Sequence, residues 1–140
     1  MSSVLARLKL GQPAGWRDLS VLTFVEPDAK TFAANIVVTH AALEGSELAA
    51  HVEAEALAFE QELSGYKRVR VERLPVAGKT GYAVEQTFKT DSGLLLRQLA
   101  LYAEDADTVF TMTLTHSDEA FEAIRPRFYE LVQSVAFVAS

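Results

Sequence analysis

Alternating apolar and polar positions near the N-terminus predict the first two strands. Residues 19–26 read LSVLTFVE and residues 33–40 read AANIVVTH, and both segments are rich in the β-branched residues that favour strands. Pro27 and Asp28 lie between the two segments and are typical of a tight turn. We therefore expect two strands joined by a short connection.

The spacing of the apolar positions then changes to that of a helix. Ser46 precedes the sequence ELAAHVEAEALAFEQELSGY, which predicts a helix that is capped by Ser46 and ends at Gly65. Apolar residues recur along one side of this helix at the spacing that a core-facing stripe requires. They are Leu48, Val52, Ala56, Phe59 and Leu63.

Four more strands are predicted after this helix, over residues 66–76, 80–90, 94–104 and 107–116. The last three are separated by the short polar sequences DSG and EDA. Connections of this length join antiparallel neighbours. This part of the chain is therefore expected to form an antiparallel meander.

A second helix is predicted to begin with Ser117 as its cap and an acidic first turn. Its apolar stripe consists of Phe121, Ile124, Phe128, Leu131 and Val135. Pro126 lies within this stripe, so a kink or an irregular first turn is expected. The element order β-β-α-β-β-β-β-α predicts an α+β fold, with two helices packed on an antiparallel six-stranded sheet. The length of 140 residues predicts one domain over residues 1–140.

The strand LLLRQLALY, residues 94–102, places two polar side chains in an apolar run. Strand alternation puts Leu96 and Gln98 on one face and Arg97 on the other. A polar group inside an apolar core needs a hydrogen-bonding partner. We expect Arg97 to pair with an acidic neighbour or to reach water, whereas the face that carries Gln98 meets either water or something else.

Several predicted strands are apolar on both faces, and two helices are too few to cover both faces of six strands. The surplus predicts an apolar groove that a partner fills. A helix layer on each side, or a dimer, would also account for it. The outer side of the first helix supports a second contact, because it carries Ala50, Ala54, Leu57 and Gln61 instead of charges. Alanine is also simply a good helix former, although that does not explain Leu57.

Charge and composition exclude several classes of protein. A net charge of -6 argues against binding to a nucleic-acid backbone, and the absence of cysteine excludes disulfides and cysteine-rich zinc sites. Arg7 and Lys9 interrupt what could otherwise be the core of a signal peptide. The chain contains no apolar run of ~18 residues, so no direct membrane insertion is expected. These features predict a soluble, cytoplasmic protein.

Residues with catalytic potential are scattered. His51 has Glu47 and Glu55 four residues away on either side, but a solvated helix face explains this spacing better than a metal site. No nucleophile elbow of the form G-x-S-x-G occurs. Lys79 follows a glycine as in a phosphate-binding loop, but the upstream glycine of that motif is missing. We expect no catalytic residues, no metal site and no cofactor, and therefore a protein that is not an enzyme.

Short motifs in a fixed order extend over nearly the whole chain. They are Pro13, Gly15, Trp16 and Asp18 before the first strand, Leu48 and Val52 in the first helix, Leu63-Ser64-Gly65-Tyr66 after it, Arg97-Gln98, and finally Ser134 and Phe137. In this order they resemble the DcrB-like domain family, and within it the Eag chaperones of type VI secretion. Ser64 departs from the proline that the family usually has at this point.

The resemblance implies a fold like that of the Mog1 and PsbP proteins, and a function. It implies a bacterial cytoplasmic chaperone or adaptor, a homodimer, that shields the N-terminal transmembrane helices of a secreted effector. The family's clasp uses glutamines, which Gln98 matches well and Gln61 less closely. The predicted partner-binding residues are Leu22, Phe24, Ile36, Val38, Ala54, Leu57, Gln61, Leu96 and Gln98. An immunity protein or a regulator on the same fold is the alternative.

Overall fold

A computed structural model describes residues 3–27 and 29–138 of the chain. The elements in chain order are β1 (Leu22–Val25), β2 (Asn35–Ala42), α1 (Leu48–Glu62), β3 (Lys67–Arg73), β4 (Gly81–Lys89), β5 (Leu95–Asp105), β6 (Thr108–Ser117) and α2 (Phe121–Gln133). A single 3-10 turn at Val4–Arg7 precedes them. The order of elements is the predicted one. Asp28, which was expected in the first turn, lies outside the described residues.

The six strands form one antiparallel sheet in the order β1-β2-β6-β5-β4-β3. Strands β3 to β6 follow each other as a meander, and β2 pairs with β6, so that β1 and β2 extend the sheet on the far side. The predicted α+β class and the six-stranded antiparallel sheet with two helices are confirmed. The shortest connection joins β5 to β6 through Ala106 and Asp107, which have φ values of 47° and 58°. Two residues with positive φ are typical of a type I′ hairpin turn.

The two helices pack against opposite faces of the sheet. On one face, Phe121 and Phe128 of α2 are almost fully buried against Leu99, Leu101 and Leu114. On the other face, Leu48 and Val52 of α1 pack with the alternate residues Ala100 and Tyr102. A helix layer on each side, one of the alternatives left open by the sequence, is therefore present.

Neither helix begins at the predicted serine. Glu47 occupies the N-cap position of α1. Ser46 belongs to the preceding turn, in which Glu44 and Gly45 have positive φ values and the Ser46 N–H donates to the Leu43 carbonyl. Ser117 is the last residue of β6, and a turn over residues 118–120 separates it from α2. Both predicted caps are therefore wrong. Helix α2 begins after that turn and continues through Pro126.

Candidate functional site

An open groove lies beside α1 on its face of the sheet. Helix α1 packs over the β4 and β5 part of this face, and the groove lies beside it over β2 and β6. Thr39 is exposed there and Thr113 is half-buried, whereas Thr111 and Thr115 are buried. The groove has a volume of about 270 Å³. It is lined by Asn35, Val37, Thr39, Glu55, Phe59, Gln86, Gln98, Ala100, Tyr102, Thr111, Thr113 and Thr115. We call this surface the α1-side groove.

The floor of the α1-side groove combines hydroxyl groups with small apolar surfaces. Each threonine of β6 lies opposite a groove residue of β2: Asn35 with Thr115, Val37 with Thr113, and Thr39 with Thr111. Threonine and valine are short and β-branched, so their side chains keep the floor shallow and stiff. The floor therefore offers methyl groups for packing and hydroxyls for hydrogen bonding at regular intervals.

A chain of hydrogen bonds crosses three strands beneath this groove. The Tyr66 hydroxyl donates to Gln86 Oε1 at 2.8 Å, and Gln86 Nε2 donates to Gln98 Oε1 at 2.9 Å. Gln98 Nε2 in turn donates to Thr115 Oγ1 at 2.9 Å. Gln86 is 1% exposed, so its amide depends on these partners. The half-buried Gln98 lies at the boundary between this network and the groove.

The wall of the groove beneath α1 is formed by aromatic and acidic side chains. Half-buried Phe59 and Glu55 project from the helix, and Tyr102 lies on β5 below them. Burial raises the pKa of Tyr102 above its ordinary range, so its hydroxyl stays neutral. The His51 ring contacts the Tyr102 ring edge to face, with centroids 6.1 Å apart. This wall is therefore held in place by packing as well as by the helix itself.

A larger, apolar cleft lies on the opposite face, between the β1–β2 end of the sheet and the C-terminal part of α2. Its volume is about 780 Å³. Most of its lining is apolar, and includes Leu22, Phe24, Ile36, Val38, Phe110, Met112, Leu131, Val135 and Phe137. Phe24 is 40% exposed and Leu131 is 37% exposed within it. We call this surface the α2-side cleft.

The structure distributes the nine predicted partner-binding residues over three surfaces. Four line the α2-side cleft: Leu22, Phe24, Ile36 and Val38. Two lie on the α1 face of β5, where Gln98 lines the groove and Leu96 is buried. Three are exposed on the outer side of α1, turned away from the groove: Ala54, Leu57 and Gln61. The nine residues therefore do not line one groove, and their part in binding stays a prediction.

The cause of this difference is the two-residue period of strands. Alternation fixes which residues of one strand share a face, but the face shared by residues of different strands depends on the pairing register. In the observed register, Ile36 lies opposite Leu114, whereas Gln98 lies opposite Thr115, on the other face. The alternating threonines 111, 113 and 115 were the signal in the sequence that marked the groove.

Arg97 points away from Gln98 into a cluster of charges under α2. The buried carboxylate of Glu85 accepts hydrogen bonds from Arg70 at 3.1 Å, from Arg97 at 2.5 Å and from Arg125 at 2.9 and 3.0 Å. Arg97 also donates to Asp118 at 2.7 Å. The guanidinium groups of Arg125 and Arg97 lower the pKa of Glu85 from 4.5 to about 2. The expectation that Arg97 pairs with an acidic neighbour is confirmed. The ion pair between Arg125 of α2 and Glu85 of β4 connects the helix to the sheet.

The part of the chain that the structure describes contains neither a metal-binding cluster nor a helix that could span a membrane. Within residues 3–27 and 29–138, no group of three or more His, Asp or Glu side chains is arranged to hold a metal ion. Among the helices of the same residues, none is long and apolar enough to cross a bilayer.

Comparison with solved structures identifies the fold. The structure of a protein of unknown function from Pseudomonas aeruginosa, PA94, described as a putative regulator, matches with a TM-score of 0.86 and 20% identity, over 99% of this chain and 96% of that one. Cyanobacterial PsbP (CyanoP) from Synechocystis sp. PCC 6803 matches with a TM-score of 0.55 and 12% identity, over 89% and 96% of the two chains. The protein therefore has a Mog1/PsbP-like fold, as the resemblance implied.

A sequence comparison identifies the family. The DcrB family model matches residues 8–134, a range that contains all six strands and both helices. The chain belongs to the DcrB family. None of the curated proteins matches it. Family and fold together suggest a partner-binding module.

Proposed function

We propose that this protein is a cytoplasmic chaperone or adaptor that binds and shields the N-terminal transmembrane helices of a type VI secretion effector. The helix would lie in the α1-side groove, and the protein would act by binding, without turnover. The observation that carries this proposal is the floor of that groove, where hydroxyl and amide groups lie among small apolar side chains on the part of the sheet face beside α1.

The dimensions of the groove suit a helix. Neighbouring strands lie about 4.8 Å apart, so the β1, β2 and β6 part of the sheet is roughly 10 Å wide between its end and α1. An α-helix with its side chains is ~10–12 Å in diameter. A helix laid along these strands would contact Phe59 on one side and the floor threonines beneath.

The chemistry of the floor resembles what a transmembrane helix meets in a bilayer. Helices in membranes associate through small residues that allow close approach and through hydrogen bonds from Ser, Thr, Asn and Gln. Thr113 and Asn35 are half-buried, and they can offer these groups without a charge. Gln98, the residue to which the resemblance to Eag chaperones assigns this role, lies at the same floor.

The energetics favour shielding over permanent capture. Removing ~1000 Å² of apolar helix surface from water contributes on the order of 25 kcal/mol before costs, at ~25 cal/mol per Å². Association and side-chain ordering offset much of this gain. A shallow, partly polar groove would therefore hold a helix firmly enough to keep it from aggregating, and still release it.

To test the proposal, tagged protein is used to capture its partner from the native host. A variant in the groove is compared with a matched variant on the exposed surface of α1. Thr113→Arg fills the floor of the groove, whereas Glu60→Arg places the same side chain on the exposed surface of α1. We expect wild type and Glu60→Arg to retain one large protein through an N-terminal apolar segment. Thr113→Arg should lose it while keeping the wild-type melting temperature.

Two results would overturn the proposal. One is retention of the partner by Thr113→Arg, because the floor would then not be the contact. The other is a partner that binds through a folded domain and has no N-terminal apolar helix. That second result would favour the alternative function of a regulator or an immunity protein, which the description of the similar Pseudomonas aeruginosa structure as a putative regulator also supports.

A further inference from the structure

The residues that line the α1-side groove form three rows across strands β2, β6 and β5. The residues of each row are paired in register, so the rows follow one another along the groove. The first row carries two amides, the middle row is mostly apolar, and the third row carries only hydroxyl groups. In this order the rows are Asn35–Thr115–Gln98, Val37–Thr113–Ala100 and Thr39–Thr111–Tyr102. The two ends of the groove therefore differ in chemistry.

Glu55 of α1 adds a negative charge at the Tyr102 end of the groove. Among the described residues that line the groove, it is the only one with a charged side chain. Burial first, and then the neighbouring Glu55 carboxylate, raise the pKa of Tyr102, which places Glu55 beside this tyrosine. His51 supports this placement, because its Nε2 lies 3.5 Å from Glu55 Oε1 and its ring contacts that of Tyr102. One end of the groove is therefore acidic and the other is neutral.

The Glu55 carboxylate lacks the basic partner that comparable carboxylates have. Glu53 on the same helix pairs with Arg68 at 3.0 Å, and the buried Glu85 pairs with three arginines. In the part of the chain that the structure describes, the only cationic group within 4 Å of Glu55 is His51, which is charged only when it is protonated. A half-buried carboxylate of this kind would gain a charge-assisted hydrogen bond from a cation on the molecule that occupies the groove.

We propose that Glu55 selects a bound helix that carries a lysine or arginine at its N-terminal end, and that this pairing fixes the direction of the helix in the groove. The inference rests on the proposed function, because it concerns the same groove and the same class of partner. The N-terminal end of a helix carries a partial positive charge, and a basic side chain there adds a full one. Both would lie beside Glu55. The unpaired carbonyl oxygens of the C-terminal end would lie near the amides of Asn35 and Gln98, which can donate to them.

The first test compares two synthetic apolar helical peptides of equal length, with blocked ends that remove the terminal charges. One carries lysine at its N-terminal end, and the other carries glutamine at the same position. Fluorescence anisotropy of the labelled peptides measures the dissociation constants. We expect wild type to bind the lysine peptide about three to five times more tightly, as for a partly exposed ion pair, and this preference to shrink at high salt.

The outcomes separate this inference from the proposed function. Equal affinity of wild type for the two peptides would overturn the inference while the proposed function stands, because the groove would still bind an apolar helix. No binding of either peptide would overturn the proposed function, and the inference with it.

Glu55→Gln provides the matched variant, because it removes the charge and keeps a hydrogen-bond acceptor beside Tyr102. It should bind both peptides with equal affinity. Glu60→Gln makes the same change on the exposed surface of α1 and should keep the preference of wild type. A preference for the lysine peptide that survives Glu55→Gln would overturn the role of this residue.

Disulfide cross-linking tests the direction of the helix without any change at Glu55. The chain contains no cysteine, so a single cysteine can be introduced at either end of the groove. Thr39→Cys lies at the Glu55 end and Asn35→Cys at the amide end. A lysine peptide with a cysteine at its N-terminal end should cross-link to Thr39→Cys about tenfold more than to Asn35→Cys, because a disulfide needs Cα atoms within roughly 7 Å. Equal yields, or a higher yield with Asn35→Cys, would overturn the proposed direction.

Discussion

Arg97 and Gln98 are consecutive in β5 and belong to two unrelated networks on opposite faces of the sheet. Arg97 bonds to Glu85 and Asp118 beneath α2, whereas Gln98 bonds to Gln86 and Thr115 at the floor of the α1-side groove. The apolar run that surrounds them is thus compatible with two polar side chains, because each has its partners. The two networks make separate predictions.

The carboxylate of Glu85 should make the protein sensitive to acid. Its pKa is lowered from 4.5 to about 2, so its stabilisation is complete above pH 4.5 and is lost as the pH falls towards 2. The loss should be roughly 2–3 kcal/mol. Urea unfolding at several pH values would measure it. Glu85→Gln should be less stable than wild type at pH 7, and the difference should shrink below pH 4.

The control for this prediction is Glu60→Gln, because Glu60 is exposed on α1. It should unfold like wild type across the same pH range, since surface substitutions of this kind change stability by less than about 0.5 kcal/mol. A Glu85→Gln protein whose stability follows wild type at every pH would show that the arginine cluster contributes nothing.

The amide of Gln98 should matter for stability as well as for binding. Gln98→Leu removes the acceptor of Gln86 Nε2 and the donor to Thr115 Oγ1. A buried amide left without its partner costs about 1–3 kcal/mol, so the free energy of unfolding should fall by this amount. Gln61→Leu is the matched control because Gln61 is exposed, and it should change stability by less than about 0.5 kcal/mol. Equal effects of both substitutions would contradict the role of the network.

Val37 of β2 should matter for capture of the proposed effector helix, because it lines the α1-side groove and is half-buried. Val37→Asp places a charge on the floor of the groove and should abolish capture. Val37→Thr keeps the β-branched shape, so it is the matched control and should retain the partner. Pull-down on both variants would measure this, after thermal melts establish that both fold. Capture of the partner by Val37→Asp would contradict the proposed contact.

Asparagine should stabilise the turn between β5 and β6 more than the alanine now present. Ala106 has a φ of 47°, and asparagine adopts this left-handed region more readily than alanine. Ala106→Asn should therefore stabilise the protein by up to about 1 kcal/mol. The same replacement at exposed Ala54 in α1 should destabilise it by about 0.5 kcal/mol, since asparagine is a poorer helix former. Chemical denaturation would give both values, and equal signs would contradict this reading of the turn.

The order of the elements followed from periodicity, because the apolar spacing changes clearly between strands such as β2 and helices such as α1. The first residues of the helices were not predicted correctly. Ser46 and Ser117 are residue types that favour the N-cap position, but each lies in or before a turn that precedes its helix. The sequence also did not determine that Leu22 and Gln98 lie on different faces of the sheet. Strand alternation leaves undecided which face of one strand joins which face of the next until the register is known.

The interleaving of two surfaces along β2 and β6 has a consequence for how this protein can change. Odd-numbered residues from Asn35 to Thr39 belong to the groove, and Ile36 and Val38 between them belong to the cleft. Each of these residues belongs to one surface only, so substitutions can change the groove while the cleft is preserved. A one-residue insertion within β2 would exchange the two surfaces along part of the strand and damage both. Diversity among relatives should therefore accumulate in these strands by replacement, and changes of length should be confined to the connections.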